Sequence, residues 1–146
     1  MLLGQDIPDD CQVMELSGVL WPDTAHPVEL RSYGSRLTVH YVVAPAHGDG
    51  MALAEFTGVR ASYLGSPNDE ARGGHRLAAR GLRNYAFHEV INSDWISELE
   101  RRNRVHPGHS KSLFAGLHHD IVTLKEETFE CIARSMTVSR LDEGAP

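Results

Sequence analysis

Asn92-Ser93-Asp94-Trp95-Ile96-Ser97-Glu98-Leu99-Glu100-Arg101-Arg102-Asn103-Arg104 is the stretch on which the fold turns. Three short polar side chains in a row offer alternative helix caps at Asn92, Ser93 and Asp94. Trp95, Ile96 and Leu99 then form an apolar stripe, while Glu98→Arg102 and Glu100→Arg104 are favourable pairs one turn apart. Pro107-Gly108 ends the run. The spacing predicts a helix over about 94–104 with Trp95 and Leu99 buried.

Outward from that helix, the signals on both sides are those of strands. Asn84 to Ile91 alternates, and further upstream Leu37, Val39, Tyr41 and Val43 share one face of a strand. Val13–Leu16 and Val28–Arg31 are shorter runs of the same kind. Met51–Phe56 and Val59–Leu64 flank Gly58, which predicts one long strand broken by a bulge. Downstream, a short helical turn is expected within Ser110–Leu117. A hairpin then runs from His118–Leu124 through Lys125-Glu126-Glu127 into Thr128–Val138, read as a central strand because both its faces are apolar. The helix stands between strands instead of alternating with them. The expected class is therefore α+β, a curved antiparallel β-sheet or half-barrel packed against one main helix.

At 146 residues the chain is the size of a single domain, 1–146, with frayed ends expected at about 1–10 and 141–146. A formal charge of −6 works against an extended phosphate-binding surface, so nucleic acid is not an expected partner. The run Arg101-Arg102-Asn103-Arg104 is expected to be a solvated, salt-bridged face. No signal peptide or membrane span is apparent, and the chain reads as cytoplasmic. Of 14 basic residues only Lys111 and Lys125 are lysines, a bias typical of GC-rich bacterial genomes. Cys11 and Cys131 are expected to be buried, reduced thiols.

Three polar clusters carry potential chemistry. Asn68-Asp69-Glu70 with His75 places two carboxylates and an imidazole on one long loop, which suits acid–base work if burial shifts a pKa; its bland alternative is a turn built on Pro67-Asn68-Asp69. Glu89 shares an apolar face with Tyr85, Phe87 and Ile91, so it is either an edge residue or buried with a partner such as His75, Arg60 or Arg83. His106-Pro107-Gly108-His109 has metal-ligand residue types but no recognised metal spacing, and is better read as a loop satisfying the helix end.

Six segments together resemble a family of small uncharacterised bacterial proteins. They are Pro67-Asn68-Asp69-Glu70, Gly74-His75-x-Leu77, Gly81-Leu82-x-x-Tyr85, Glu89-Val90-x-Asn92-Ser93-x-Trp95-Ile96, His106-Pro107-x-His109 and Thr128-Phe129-Glu130-Cys131. The resemblance spans residues 50–135 or so, and it implies no activity and no catalytic residue.

The residues lead to an expected small-molecule-binding domain with a pocket between sheet and helix. Whether it is an enzyme is left open; a metal-independent acid–base step there would fall to Glu89, His75, Asp69 and Glu70. Tyr85, Asn68, His106 and Trp95 would contact the ligand. The expectation includes no metal, no cofactor and no membrane, and leaves a homodimer open. The alternative is a protein-interaction module, such as an immunity or accessory protein, in which these clusters only brace loops. Glu89 and His75 within reach of one pocket would favour catalysis.

Overall fold

A computed structural model describes residues 7–141. Among these residues nine strands make two antiparallel sheets, and one α-helix packs against the five-stranded one: the expected α+β class with open, curved sheets. β2 (Glu29–Tyr33), β3 (Arg36–Val42), β4 (Met51–Thr57) and β9 (Ser135–Arg140) form one sheet in the order β2-β3-β4-β9. The other contains β1 (Gln12–Glu15), β6 (Phe87–Ile91), β7 (His118–Thr123), β8 (Thr128–Ala133) and β5 (Ala61–Gly65) in the order β1-β6-β7-β8-β5.

The long strand expected around Gly58 is instead two strands in two sheets, and Thr128–Val138 divides in the same way into β8 and β9. Both chains change sheet at the same corner. Thr57 pairs with Ser135 on one side of it and Ala61 with Ile132 on the other, so three residues oppose two. The expected bulge is thus real, but it turns the ladder from one sheet into the next. Gly58 has φ +65°, and a Cβ there would sit 2.8 Å from Arg134 Cγ. A side chain at this corner would push the two crossing strands apart.

Alternation along the strands gives the five-stranded sheet two unlike faces. Phe87, Val122, Phe129, Cys131 and Ala133 pack against Leu37, Val39, Tyr41, Ala54 and Phe56 of the second sheet. Phe56 and Phe129 meet with ring centroids 5.4 Å apart. On the opposite face, Val90 and Ile121 pack with Val13 and Leu77, and Ile132 packs with Trp95 and Leu117. This second face is covered by the 66–86 segment and by α1 (Asp94–Asn103).

α1 is capped by Ser93, whose Oγ accepts from the Ile96 amide at 3.1 Å. Trp95 is buried as expected, whereas Leu99 is only half-buried and faces a surface cleft. The basic run is ion-paired: Arg101 and Arg102 with Glu98, and Arg104 with Glu100. His109 sits 3.3 Å from Glu100 and so braces the helix end, whereas His106 Nδ1 accepts from the Gly108 amide within the loop that follows. Residues 1–6 and 142–146 of the expected frayed ends lie outside the described residues. The remainder is tied down: Arg80 donates to the carbonyls of Pro8 and Cys11, and the Leu141 amide bonds Met51. Both cysteines are free and buried.

Candidate functional site

Glu89 and His75 are on opposite sides of the five-stranded sheet and have different partners, which corrects the expected pair. Glu89 lies in register with Asp120, on the side of the second sheet. His75 contacts Glu130, whose strand neighbours Phe129 and Cys131 face that second sheet, so Glu130 faces the helix. A sheet therefore separates the two groups.

Asp69 and Tyr85 meet elsewhere. The Tyr85 hydroxyl donates to the Asp69 carboxylate, Lys125 Nζ lies 3.6 Å from it, and Asn68 Oδ1 accepts from the Ala71 amide at 3.0 Å. The Tyr85 hydrogen bond holds the Asp69 carboxyl below its usual range. This is the turn chemistry of the bland alternative, and Glu70 is exposed beside it. Neighbouring Arg72 is buried, and it donates to the carbonyls of Leu124 and Glu127 and to Asn84 and Thr128. The loop is thereby stapled onto the β7–β8 turn. His106 lies at the far end of α1, and Trp95 is in the core with its ring roughly perpendicular to that of His119. The eight expected site residues thus do not form one site.

Two buried carboxyls outside that set organise the polar chemistry of the sheet. Glu130, fully buried in β8, receives His119 Nε2 and His75 Nε2 at 2.8 Å each and Arg76 Nη1 and Nη2 at 3.1 and 3.2 Å. His75 Nδ1 accepts from the Leu77 amide, which leaves the proton on Nε2 to donate to Glu130. Ser93 Oγ, already accepting from Ile96, donates to His119 Nδ1 and fixes the same tautomer. Arg76 also donates to Asp94 at 2.8 Å. Burial alone would raise the Glu130 carboxyl, but the two imidazole donors and the guanidinium outweigh it and hold the pKa far below the usual range. Glu130 is a fixed anion that ties loop, helix cap and sheet together.

Asp120 is the opposite case. It is 5% exposed, lies between Glu89 and Cys131 in register, and makes no side-chain hydrogen bond among the described residues. Its oxygens keep a sliver of solvent contact, because no wholly inaccessible side-chain oxygen or nitrogen lacks a partner among these residues. Burial and the neighbouring Glu89 charge, partly offset by His118, push its pKa up to about 7. Glu89 itself bonds His118 Nδ1 at 2.6 Å.

Glu89 and His118 form part of the wall of a groove of about 530 Å³ across the end of β6 and the start of β7. Asn92, Ser97, Ile96 and Phe114 complete its sides. Polar and apolar walls of this kind suit a small molecule with one directed polar group. No three His, Cys, Asp or Glu side chains are grouped as a metal site among the described residues. No described helix is long and apolar enough to cross a membrane.

Sequence reasoning singled out Glu89 but missed Asp120, Glu130, Arg76, His119 and His118. A signal was present: Glu130 is the one charged residue in Thr128–Ala133, and Asp120 the one carboxylate in His118–Leu124. The chain matches no protein family, no curated protein and no solved structure.

Proposed function

We propose that this domain binds a small molecule in the groove at the β6–β7 strand ends, with Glu89 accepting a hydrogen bond from it and Asp120 as a proton source behind Glu89. The observation that carries this reading is Asp120, a nine-tenths buried carboxyl without a side-chain hydrogen bond among the described residues, in register with a carboxyl on the groove wall. A chain selected only for stability gains nothing from such a group, since an apolar side chain would avoid its desolvation. Near neutrality Asp120 divides between acid and anion. Two coupled carboxyls of this kind supply a donor and an acceptor for a metal-independent acid–base step on the bound molecule. His118 orients Glu89.

A second reading, a protein-interaction module of the immunity or accessory type, draws on Met14 and Ile91. They flank Glu89 on the open part of the sheet and are 57% and 37% exposed.

Amide NMR spectra titrated with small amines, benzylamine and ethanolamine first, separate the two. Ligand binding predicts saturable shifts at Asn92, Ser97 and His118 that vanish in Glu89→Gln and weaken in Asp120→Asn. Shifts that survive both substitutions, or none at these amides, would overturn the binding reading.

A further inference from the structure

A second cleft lies at the other end of α1, and its chemistry is the reverse of the first. It measures about 570 Å³, with Leu99, Val105, Pro107 and Phe114 as its apolar lining and Arg60 and Arg102 among its charged walls. Val105 is 91% exposed, so this apolar surface is open to solvent. The Arg60 guanidinium lies over the Phe114 ring, 5.8 Å from its centroid, and makes no ion pair among the described residues. Arg102 shares the single Glu98 carboxylate with Arg101. The wall therefore carries surplus positive charge in a chain whose formal charge is −6. His106 adds a donor: its Nδ1 accepts from the Gly108 amide, which puts the proton of the neutral ring on Nε2.

We infer that this cleft binds an aromatic carboxylate, its ring against Leu99 and Phe114 and its carboxylate on Arg60. A planar guanidinium already held over an aromatic ring has lost part of its rotamer freedom. It presents a fork that matches a carboxylate in two parallel hydrogen bonds. Arg102 supplies a second positive charge in the lining, and the apolar part of that lining rewards a flat hydrocarbon body over a bare anion. Phosphate fits less well, because Leu99, Val105, Pro107 and Phe114 offer a bare inorganic ion no hydrogen bond. None of this depends on Glu89 or Asp120, and the ligand class differs from that of the strand-end groove.

The test uses the full chain and calorimetric or amide-NMR titration with phenylacetate, phenylacetamide, acetate and inorganic phosphate. Phenylacetate should bind saturably and shift the amides of Leu99, Asn103 and Phe114. Acetate, phosphate and the neutral amide should bind about tenfold more weakly or not at all, the scale expected for losing either the ring or the charge-assisted pair. Arg60→Gln should weaken phenylacetate about tenfold and Arg102→Gln less, each with an unchanged circular dichroism spectrum. Glu89→Gln should leave the affinity unaltered. Equal affinity for phenylacetamide, no effect of Arg60→Gln, or no saturable phenylacetate binding would overturn the inference. Phosphate binding as tight as phenylacetate would reduce the cleft to a general anion patch and reject the aromatic class.

Discussion

Glu130 and Asp120 lie on adjacent strands of one sheet, both nearly sealed from solvent, and they face opposite ways. Toward the helix, Glu130 meets four donors from His75, His119 and Arg76. Toward the second sheet, Asp120 meets none among the described residues. The same functional group is thereby driven in opposite directions, one far below the ordinary carboxylate range and the other up to about 7. Burial sets the size of the stakes, and the number of aimed donors decides the sign. Of the two, only Asp120 can change protonation at physiological pH. Glu130 is structural for the same reason that Asp120 is a candidate for chemistry.

The largest effect follows from removing the fixed anion. Glu130→Ala leaves the partly buried Arg76 with Asp94 alone and two imidazole N–H groups without acceptors. It should cost about 3–5 kcal/mol in urea denaturation. The acid limb gives a second readout. Glu130 has a depressed folded-state pKa, so its contribution is full above the unfolded carboxyl value and falls away as the pH drops below about 4. The variant should therefore lose less stability than the parent over that acid range. A cost below about 1 kcal/mol would show that the network is poorly formed and would dissolve the contrast with Asp120.

Asp120→Asn tests the other side with the opposite sign. A raised folded-state pKa means that the native state holds its proton more tightly than the unfolded chain does. Stability from that proton is complete below the unfolded value near 4 and is lost as the pH rises towards about 7. Asparagine cannot ionise. The variant should match the parent near pH 4 and exceed it by about 1–3 kcal/mol at pH 8, a figure reduced for the residual solvent contact of the carboxyl. Parallel stability curves for the two proteins from pH 4 to pH 8 would mean that Asp120 titrates like an exposed group.

The legible parts of the sequence were those governed by local periodicity. The Trp95 stripe, the cap choice among Asn92–Asp94 and the turn at Lys125–Glu127 are each set within a few residues, and each appears close to its expected place. The transfer of β4–β5 and β8–β9 between sheets was not legible, because it depends on Gly58 meeting Arg134, 76 positions away in a chain read one window at a time. Leu99 was misplaced for a related reason. Its helical face is apolar, but only the tertiary structure leaves a cleft where a covering element would bury it. The site suffered most. Alternation put Glu89 correctly on the Phe87 face, yet no local rule reveals that His75 and its loop cover the other one. The polar partners come from segments brought together only by folding.

The smallest effect concerns the same chemical pair at the surface. Arg104 donates to Glu100 through Nε and Nη2, both at 2.8 Å, with geometry at least as short as that of Arg76 on Glu130. Distance alone would rank the two pairs alike. The Arg104 side chain, however, is 55% exposed, and water solvates its guanidinium whether or not the pair forms. Salt at physiological strength screens what Coulombic gain is left, and holding two long side chains in one geometry costs rotamer freedom. Glu100→Gln should therefore leave the urea midpoint within the scatter of repeat measurements. Since His109 also approaches Glu100, the comparison is made in a His109→Gln background, where the Arg104 pair is isolated. A midpoint loss approaching that of Glu130→Ala would show that pair geometry, not enclosure, sets the energy in this fold. The contrast between the two faces of the sheet would then need another cause.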